Sequence, residues 1–165
     1  MKCRMFRNLP FTHMINKKIG TVENYCEIGI DRGLSAETTL KNIELKKLWL
    51  CDINVNPIVY DKFKKQIWKQ KVRITQLPSL DFLRMFKDNF FDVIWLDGNH
   101  TYTYLQTEIP LAWAKTKTIL GGHDFFAQTP GVAKAVIEFS EKNNLEIKGI
   151  CTNWWFEKTY GNKIN

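Results

Sequence analysis

Cysteine is scarce: there are four, at positions 3, 26, 51 and 151, and no two of them make a C-x-x-C pair. Such isolated residues suggest neither a zinc site nor a disulfide framework. Cys26 and Cys51 fall inside apolar runs, where cysteine behaves as a small hydrophobe. Free thiols fit a reducing compartment. No apolar run reaches the length of a membrane span. Residues 1–10 are basic but lack the apolar centre of a signal peptide. The expectation is a soluble, cytoplasmic protein with no membrane partner. Repeats, linkers and low-complexity tracts are missing too, which leaves one domain. At 165 residues it is large enough for a core of its own. The expected division is a short N-terminal arm or helix over 1–20 and a single domain over 21–165. Phe6, Leu9, Phe11, Met14 and Ile15 are the apolar residues of the arm.

Acidic residues are outnumbered by basic ones, 17 to 24, for a net charge of +7. That balance permits contact with nucleic acid. No arginine-rich face accompanies it. The densest basic stretch, Lys62-Phe-Lys-Lys-Gln-Ile-Trp-Lys-Gln-Lys71, is explained by an exposed helix face, so a solubilising lysine coat is the plainer account.

The most informative stretch is Tyr25-Cys-Glu-Ile-Gly-Ile-Asp-Arg-Gly-Leu-Ser35. It reads as a strand ending at Glu27-Ile28, a turn carrying Gly29 and Gly33, and a helix beginning near Ser35. Gly29 can adopt backbone angles closed to other residues, and Gly33 admits a close approach to the main chain. The free N–H groups opening a helix suit a carboxylate or phosphate. A second strand, Lys47 to Asp52, ends on an acid 19 residues after Gly33. A ribose-binding acid is expected about 20 residues on. The middle glycine of the dinucleotide fingerprint is Asp31 here. A pyrophosphate needs that glycine for backbone approach, whereas a cofactor with ribose and no phosphate does not. The spacing favours S-adenosylmethionine over NAD.

Strands and helices then alternate. Ala36, Leu40 and Ile43 recur at helical spacing. A helix over roughly 56–69 starts with Pro57 in its first turn and takes Ile58, Phe63, Ile67 and Trp68 as its apolar side. Val72–Thr75 is a short β-branched strand. A helix opening at Pro78-Ser79 presents Leu80, Leu83 and Phe86. Phe90–Leu96 is the near-continuous apolar strand expected at the centre of a parallel sheet. Tyr102–Lys115 is helical, with Pro110 as a possible kink. Lys117–Gly121 is a strand. Thr129-Pro130 opens a helix by cap and proline chemistry, with Val132, Val136 and Phe139 inward. Leu145–Ile150 and Asn153–Lys158 close the chain as two strands. Alternation implies parallel strands joined by right-handed crossovers. The last pair is too close for a crossover and predicts a hairpin. In Trp154-Trp155 neighbouring side chains point to opposite faces, so one packs in the core and the other covers an edge or a dimer contact, with core packing the better account. Monomer and homodimer stay open.

Three further motifs stand at strand ends: Phe91-Asp-Val-Ile-Trp-Leu-Asp97-Gly-Asn-His100-Thr-Tyr102, Gly122-His123-Asp124-Phe125, and the acid Asp52. With the Glu27–Ser35 turn they resemble class I S-adenosylmethionine-dependent methyltransferases. They most resemble the branch of small O-methyltransferases acting on catechol and sugar hydroxyls, over roughly residues 20–158. The resemblance implies an α/β, Rossmann-like methyltransferase fold: a mostly parallel seven-stranded sheet, helices on both faces and an antiparallel C-terminal strand. It implies S-adenosylmethionine as cofactor and a small-molecule substrate. Glu27 and Gly29 would lie against the methionine part, with Gly33 in the same turn. Ser35 would bond the carboxylate, or is only an N-cap. Asp52 would accept the ribose hydroxyls with Ile53 beside it, or is a turn acid. Ser79 would lie on the adenine side, or caps the next helix. Asp97 belongs to the cofactor set and to the catalytic one.

Two questions stay open at this level. In the metal-dependent members, an acid after strand four and a pair after strand five hold a divalent ion that acidifies the acceptor hydroxyl. Asp97, His123 and Asp124 stand at those places. They would hold Mg²⁺ or Mn²⁺, with the histidine tilting the site toward Mn²⁺, Fe²⁺ or Zn²⁺; otherwise Asp97 contacts cofactor or backbone and no metal binds. The second question is the base. His100 and His123 can titrate near neutrality. Asn99 stands where the family has aspartate and cannot be a base, so His100 is the preferred catalytic residue, the alternative being a helix-start residue bonded to backbone. His13 receives no role. The leading expectation is O-methylation of a small-molecule or sugar hydroxyl. The rivals are a nucleic-acid methyltransferase, prompted by charge but lacking an Asn-Pro-Pro-aromatic motif, and a non-catalytic cofactor-binding or interaction module, prompted by Asn99 and a short leader.

Overall fold

A computed structural model describes residues 8–158; Cys3 and Phe6 lie outside them. The elements in order are α1 (Leu9–Lys18), β1 (Val22–Ile28), α2 (Leu34–Asn42), β2 (Leu45–Asp52), α3 (Pro57–Trp68), β3 (Val72–Gln76), α4 (Ser79–Arg84), β4 (Phe91–Leu96), α5 (Tyr102–Lys115), β5 (Thr116–Gly122), α6 (Pro130–Asn143), β6 (Lys148–Ile150) and β7 (Asn153–Glu157). They form a seven-stranded sheet in the order β3-β2-β1-β4-β5-β7-β6. The first five strands pair in parallel, and β7 runs antiparallel to both β5 and β6. This is the expected Rossmann-like methyltransferase layout.

Alternation along the strands builds two cores, one on each face. In β4, Phe91, Ile94 and Leu96 enter one cluster, with residues of α4, α5 and α6. Val93 and Trp95 enter the other, with residues of α1, α2 and α3. The strand order reverses between β1 and β4, and the crevice above their carboxyl ends is where open α/β sheets bind ligands.

Residues 9–18 are helical, and Phe11 and Ile15 are fully buried. The Phe11 ring lies 4.6 Å from that of Trp95 and 6.1 Å from that of Trp155. The Asn8 amide donates to Ser35 O at 3.2 Å and to Thr39 Oγ1 at 2.9 Å, tying α1 to α2.

Three expectations need correction. On α3 the buried residues are Val59 and Phe63, while Ile58 and Trp68 are 52% and 83% exposed. An apolar stripe follows 3.6-residue spacing, here Val59, Phe63 and Ile67, and Ile58 and Trp68 each stand one position off it. Trp154 and Trp155 are both buried, one in each core, because α1 covers the face to which Trp155 points. The sixth strand starts at Lys148 rather than Leu145. Leu145 stays bound to the end of α6, its N–H donating to Ser140 O while its carbonyl accepts from Ser140 Oγ.

Candidate functional site

A cleft of about 390 Å³ opens at the carboxyl ends of β1, β2 and β4. Its wall includes Gly29, Asp52, Ile53, Ser79, Asp97 and Tyr104. Gly29 sits at φ +89°, and its N–H donates to Cys51 O at 2.9 Å. A Cβ there would lie 2.2 Å from Asp97 O, so the loop after β1 and the loop after β4 pass too close for any side chain. Gly33 has a different use. It is the N-cap of α2 at φ +70°, and the space a Cβ would take is filled by the Phe63 ring of α3, 2.8 Å away. The left-handed backbone and the packing of Phe63 both favour glycine there.

Asp52 ends β2 with its carboxylate at the cleft. Oδ2 accepts the Ile30 N–H at 2.7 Å, and Oδ1 accepts the Asn54 N–H at 3.0 Å. It is thus the turn acid of the second alternative, yet each oxygen retains a lone pair that can face the cleft. Ile53 beside it is 70% exposed and forms part of the wall.

Glu27 and Ser35 lie behind the loop, outside the wall of the cleft. Glu27 is fully buried, and the Ser35 hydroxyl and the Ala36 amide lie beside its carboxylate without meeting hydrogen-bond geometry. Burial, and after it the charge of Asp97, push Glu27 well above the usual carboxylate range, while the Ser35 hydroxyl and the Ala36 amide pull it partly back. Ser35 is not the N-cap of α2, since Gly33 holds that place.

Ser79 likewise does not cap its helix; Pro78 occupies the cap position. Its hydroxyl instead donates to Glu108 Oε1 and lies 2.8 Å from Tyr104 Oη. Glu108 is 1% exposed, and burial raises its carboxyl to about 7, against the lowering effect of Ser79. Tyr104 and Glu108 were not foreseen. The available signal was a carboxylate on the same face of α5 as Leu105, Ile109 and Ala112, a position that sequence periodicity assigns to the core.

Beyond Gly29, the loops after β4 and β5 bring together Asp97, His100, His123 and Asp124. His100 Nε2 is 3.0 Å from Asp124 Oδ2 and 3.9 Å from Asp97 Oδ1. His123 Nδ1 is 2.8 Å from Asp124 Oδ1 and 3.8 Å from Asp97 Oδ1, and its Nε2 lies 2.9 Å from Thr152 Oγ1. Asp124 has φ +61°, and its carbonyl accepts the Thr129 hydroxyl, which fixes the turn into α6. The ligand atoms that converge within 4.8 Å belong to Asp97, His100 and Asp124. His100 joins the two carboxylates in that trio, and His123, the residue expected there, lies beside Asp124 through Nδ1 and beside Thr152 through Nε2. Asn99 Oδ1 accepts from the Thr101 N–H and hydroxyl at 2.8 and 2.7 Å, shaping the start of α5. Among the described residues, no helix is long and apolar enough to cross a membrane.

A family model described as a methyltransferase domain matches residues 26–125. Among solved structures, this chain is similar to the S-adenosylhomocysteine-bound methyltransferase PaMTH1 of Podospora anserina, with a TM-score of 0.65 and 16% identity, covering 90% of this chain and 75% of that one. It is similar to the 1,6-didemethyltoxoflavin-N1-methyltransferase of Burkholderia thailandensis, with a TM-score of 0.66 and 12% identity over 91% of this chain and 77% of that one. The spermidine synthase of Thermotoga maritima gives a TM-score of 0.58 and 17% identity over 95% of this chain and 61% of that one. At such identities the likeness is one of fold. No curated protein sequence matches the chain.

Proposed function

This chain belongs to the methyltransferase-domain family, and from that premise we propose that it moves the methyl group of S-adenosylmethionine to a hydroxyl of a small molecule. The observation that carries the reading is the cleft itself. One wall joins a side-chain-free turn at Gly29, a carboxylate at Asp52 and the acidic loop at Asp97. Asp52 suits a pair of ribose hydroxyls, since a carboxylate accepts two hydrogen bonds side by side. Ile53, Leu77 and Pro78 supply an apolar wall for a base. The methionine end would lie against the turn at Gly29, behind which the Glu27 carboxylate and the Ser35 hydroxyl are buried. S-adenosylmethionine, when bound, supplies an electrophilic methyl group on a sulfonium. Two solved structures of similar fold carry S-adenosylhomocysteine, and one of them also carries a small-molecule acceptor.

The residues of this chain then have to orient the acceptor and take its proton. His100, held by Asp124, does the second. With Nε2–H donated to Asp124 Oδ2, the lone pair lies on Nδ1, which would take the proton of the acceptor hydroxyl. Asp124 steadies the resulting imidazolium.

The convergence of Asp97, His100 and Asp124 favours a second reading, in which the trio would hold a divalent ion. Two carboxylates with one imidazole fit Mn²⁺, Fe²⁺ or Zn²⁺ better than Mg²⁺. Such an ion would act as a Lewis acid on the acceptor hydroxyl. His100 Nε2 cannot both ligate an ion and carry the proton it gives to Asp124, so the two readings exclude one another.

Isothermal titration with S-adenosylmethionine and S-adenosylhomocysteine tests the first reading; no heat at millimolar ligand overturns it. Titration of the chelator-treated protein with Mn²⁺ decides the second. Binding that Asp97→Ala abolishes supports a metal site, and no binding removes it.

A further inference from the structure

The cleft's far end holds a chain of three side chains that reaches from the cavity wall into the core: Tyr104, Ser79 and Glu108. Tyr104 and Ser79 line the cleft. Glu108 lies one helical turn beyond Tyr104 on α5 and is 1% exposed. Ser79 Oγ is bonded to both, at 2.8 Å from Tyr104 Oη and in contact with Glu108 Oε1. Glu108 Oε2 is buried without a hydrogen-bond partner.

We propose that Glu108 is a positioning residue that sets the hydrogen-bond polarity of the cleft wall, so that Tyr104 accepts from the exocyclic amine of an adenine base and the site rejects a 6-oxo purine. This rests on reading the cleft as the S-adenosylmethionine site. The argument is one of proton bookkeeping. An ionised carboxylate only accepts. Ser79 must therefore give its single proton to Glu108, and its oxygen then receives the proton of Tyr104. Tyr104 is left with lone pairs alone toward the cleft. An amine finds an acceptor there, and a carbonyl oxygen meets another lone pair, which is the arrangement that discriminates strongly between a donor and its isostere.

Protonating Glu108 reverses the chain. A proton on Oε2 would be buried with no acceptor, so the neutral acid places it on Oε1 and donates to Ser79. Ser79 then donates to Tyr104, and Tyr104 turns its O–H into the cleft. The wall now favours an acceptor. The group titrates where this can be observed, since burial raises it to about 7. The other titratable groups that face it across the sheet are the thiols of Cys26 on β1 and Cys51 on β2. Burial pushes both upward, Cys51 to about 12, so both stay neutral through that range.

The test compares S-adenosylhomocysteine with its deaminated 6-oxo analogue by calorimetry at pH 6 and pH 8, on wild type, Glu108→Gln and Tyr104→Phe. The expected wild-type preference for the adenine form is at least 100-fold at pH 8 and falls tenfold or more at pH 6. Glu108→Gln, which has no titrating proton, shows a ratio independent of pH. Tyr104→Phe loses most of the preference at pH 8, and this variant tests the wall directly should Glu108→Gln fold poorly. A wild-type ratio that does not move with pH, or that moves equally in Glu108→Gln, overturns the role of Glu108 while leaving the cofactor site intact. Failure of S-adenosylhomocysteine to bind at all overturns the cofactor reading and this inference with it.

Discussion

His100 Nε2 lies 3.0 Å from Asp124 Oδ2, although the two residues leave the sheet from different strands. Asp124 can hold this position because it adopts φ +61° and its carbonyl is fixed by the Thr129 hydroxyl. The second oxygen of the same carboxylate lies 2.8 Å from His123 Nδ1, so one acid orders both imidazoles. The tautomer of His100 follows from this contact. Nitrogen-resolved NMR of the chelator-treated protein is expected to find the proton on Nε2 in neutral His100. A proton on Nδ1 would contradict the base assignment and favour the metal reading. In turnover assays with a panel of catechols and sugars, His100→Ala is expected to lower kcat by about 10²- to 10⁴-fold. The same variant should leave the Kd for S-adenosylmethionine within about twofold, since the proposed base would face the acceptor.

Gly29→Ala tests the crossing of the two loops. The new Cβ would fall 2.2 Å from Asp97 O at a φ that L side chains rarely adopt. Backbone must move, and the variant is expected to lose about 2–4 kcal/mol of stability in urea unfolding. Cofactor binding should fall with it. A variant of wild-type stability would show that the two loops are not in contact in solution.

Asp52→Ala removes the proposed ribose acceptor and two backbone hydrogen bonds together. Asp52→Asn separates them, because the amide oxygen can still accept from one of Ile30 N–H and Asn54 N–H. Loss of one charge-assisted pair is expected to weaken S-adenosylhomocysteine by about 10- to 100-fold in Asp52→Asn. An unchanged Kd measured by calorimetry would place the ribose elsewhere.

Glu108 carries a pH signature in stability as well. Its carboxyl rises from the ordinary value of 4.5 to about 7 on folding, with burial as the cause. The folded state holds the proton more tightly, so the stability this adds is complete below about pH 4 and disappears as pH climbs through about 7. Glu108→Gln buries no charge at any pH. Relative to wild type it is expected to gain about 1–3 kcal/mol between pH 5 and pH 8. Urea unfolding at both pH values measures this, and a difference independent of pH would mean the group does not titrate in that window.

Phe11→Ala asks what α1 contributes. Phe11 has no exposed surface, and its ring meets both Trp95 and Trp155. Removing a buried phenylalanine costs about 3–5 kcal/mol. A loss under 1 kcal/mol in chemical unfolding would mean that α1 is not docked on the sheet.

Periodicity in the chain was enough to place the strands and helices after residue 20 within a few residues, to make the first five strands parallel and to close the sheet with a hairpin, whereas the order of the strands came from the structure. Strand ends were equally readable, because ligand-facing residues in this architecture follow directly after apolar runs. Asp52, Asp97, His100 and Asp124 all lie on or beside the crevice for that reason. Local patterns carry such information since strands and helices repeat every two or 3.6 residues. Contacts between elements carry no such signature. Nothing near Gly33 in the chain announces the Phe63 ring, 30 positions away, that fills its missing side chain. Nothing near Ser79 announces that its hydroxyl turns from the helix cap to Glu108. Nor does the chain near Asp124 announce that both His100 and His123 reach its carboxylate while Thr152 of the β6–β7 turn meets His123 Nε2. Each of these outcomes is a distance between atoms far apart along the backbone, and packing sets such distances only once both cores have closed.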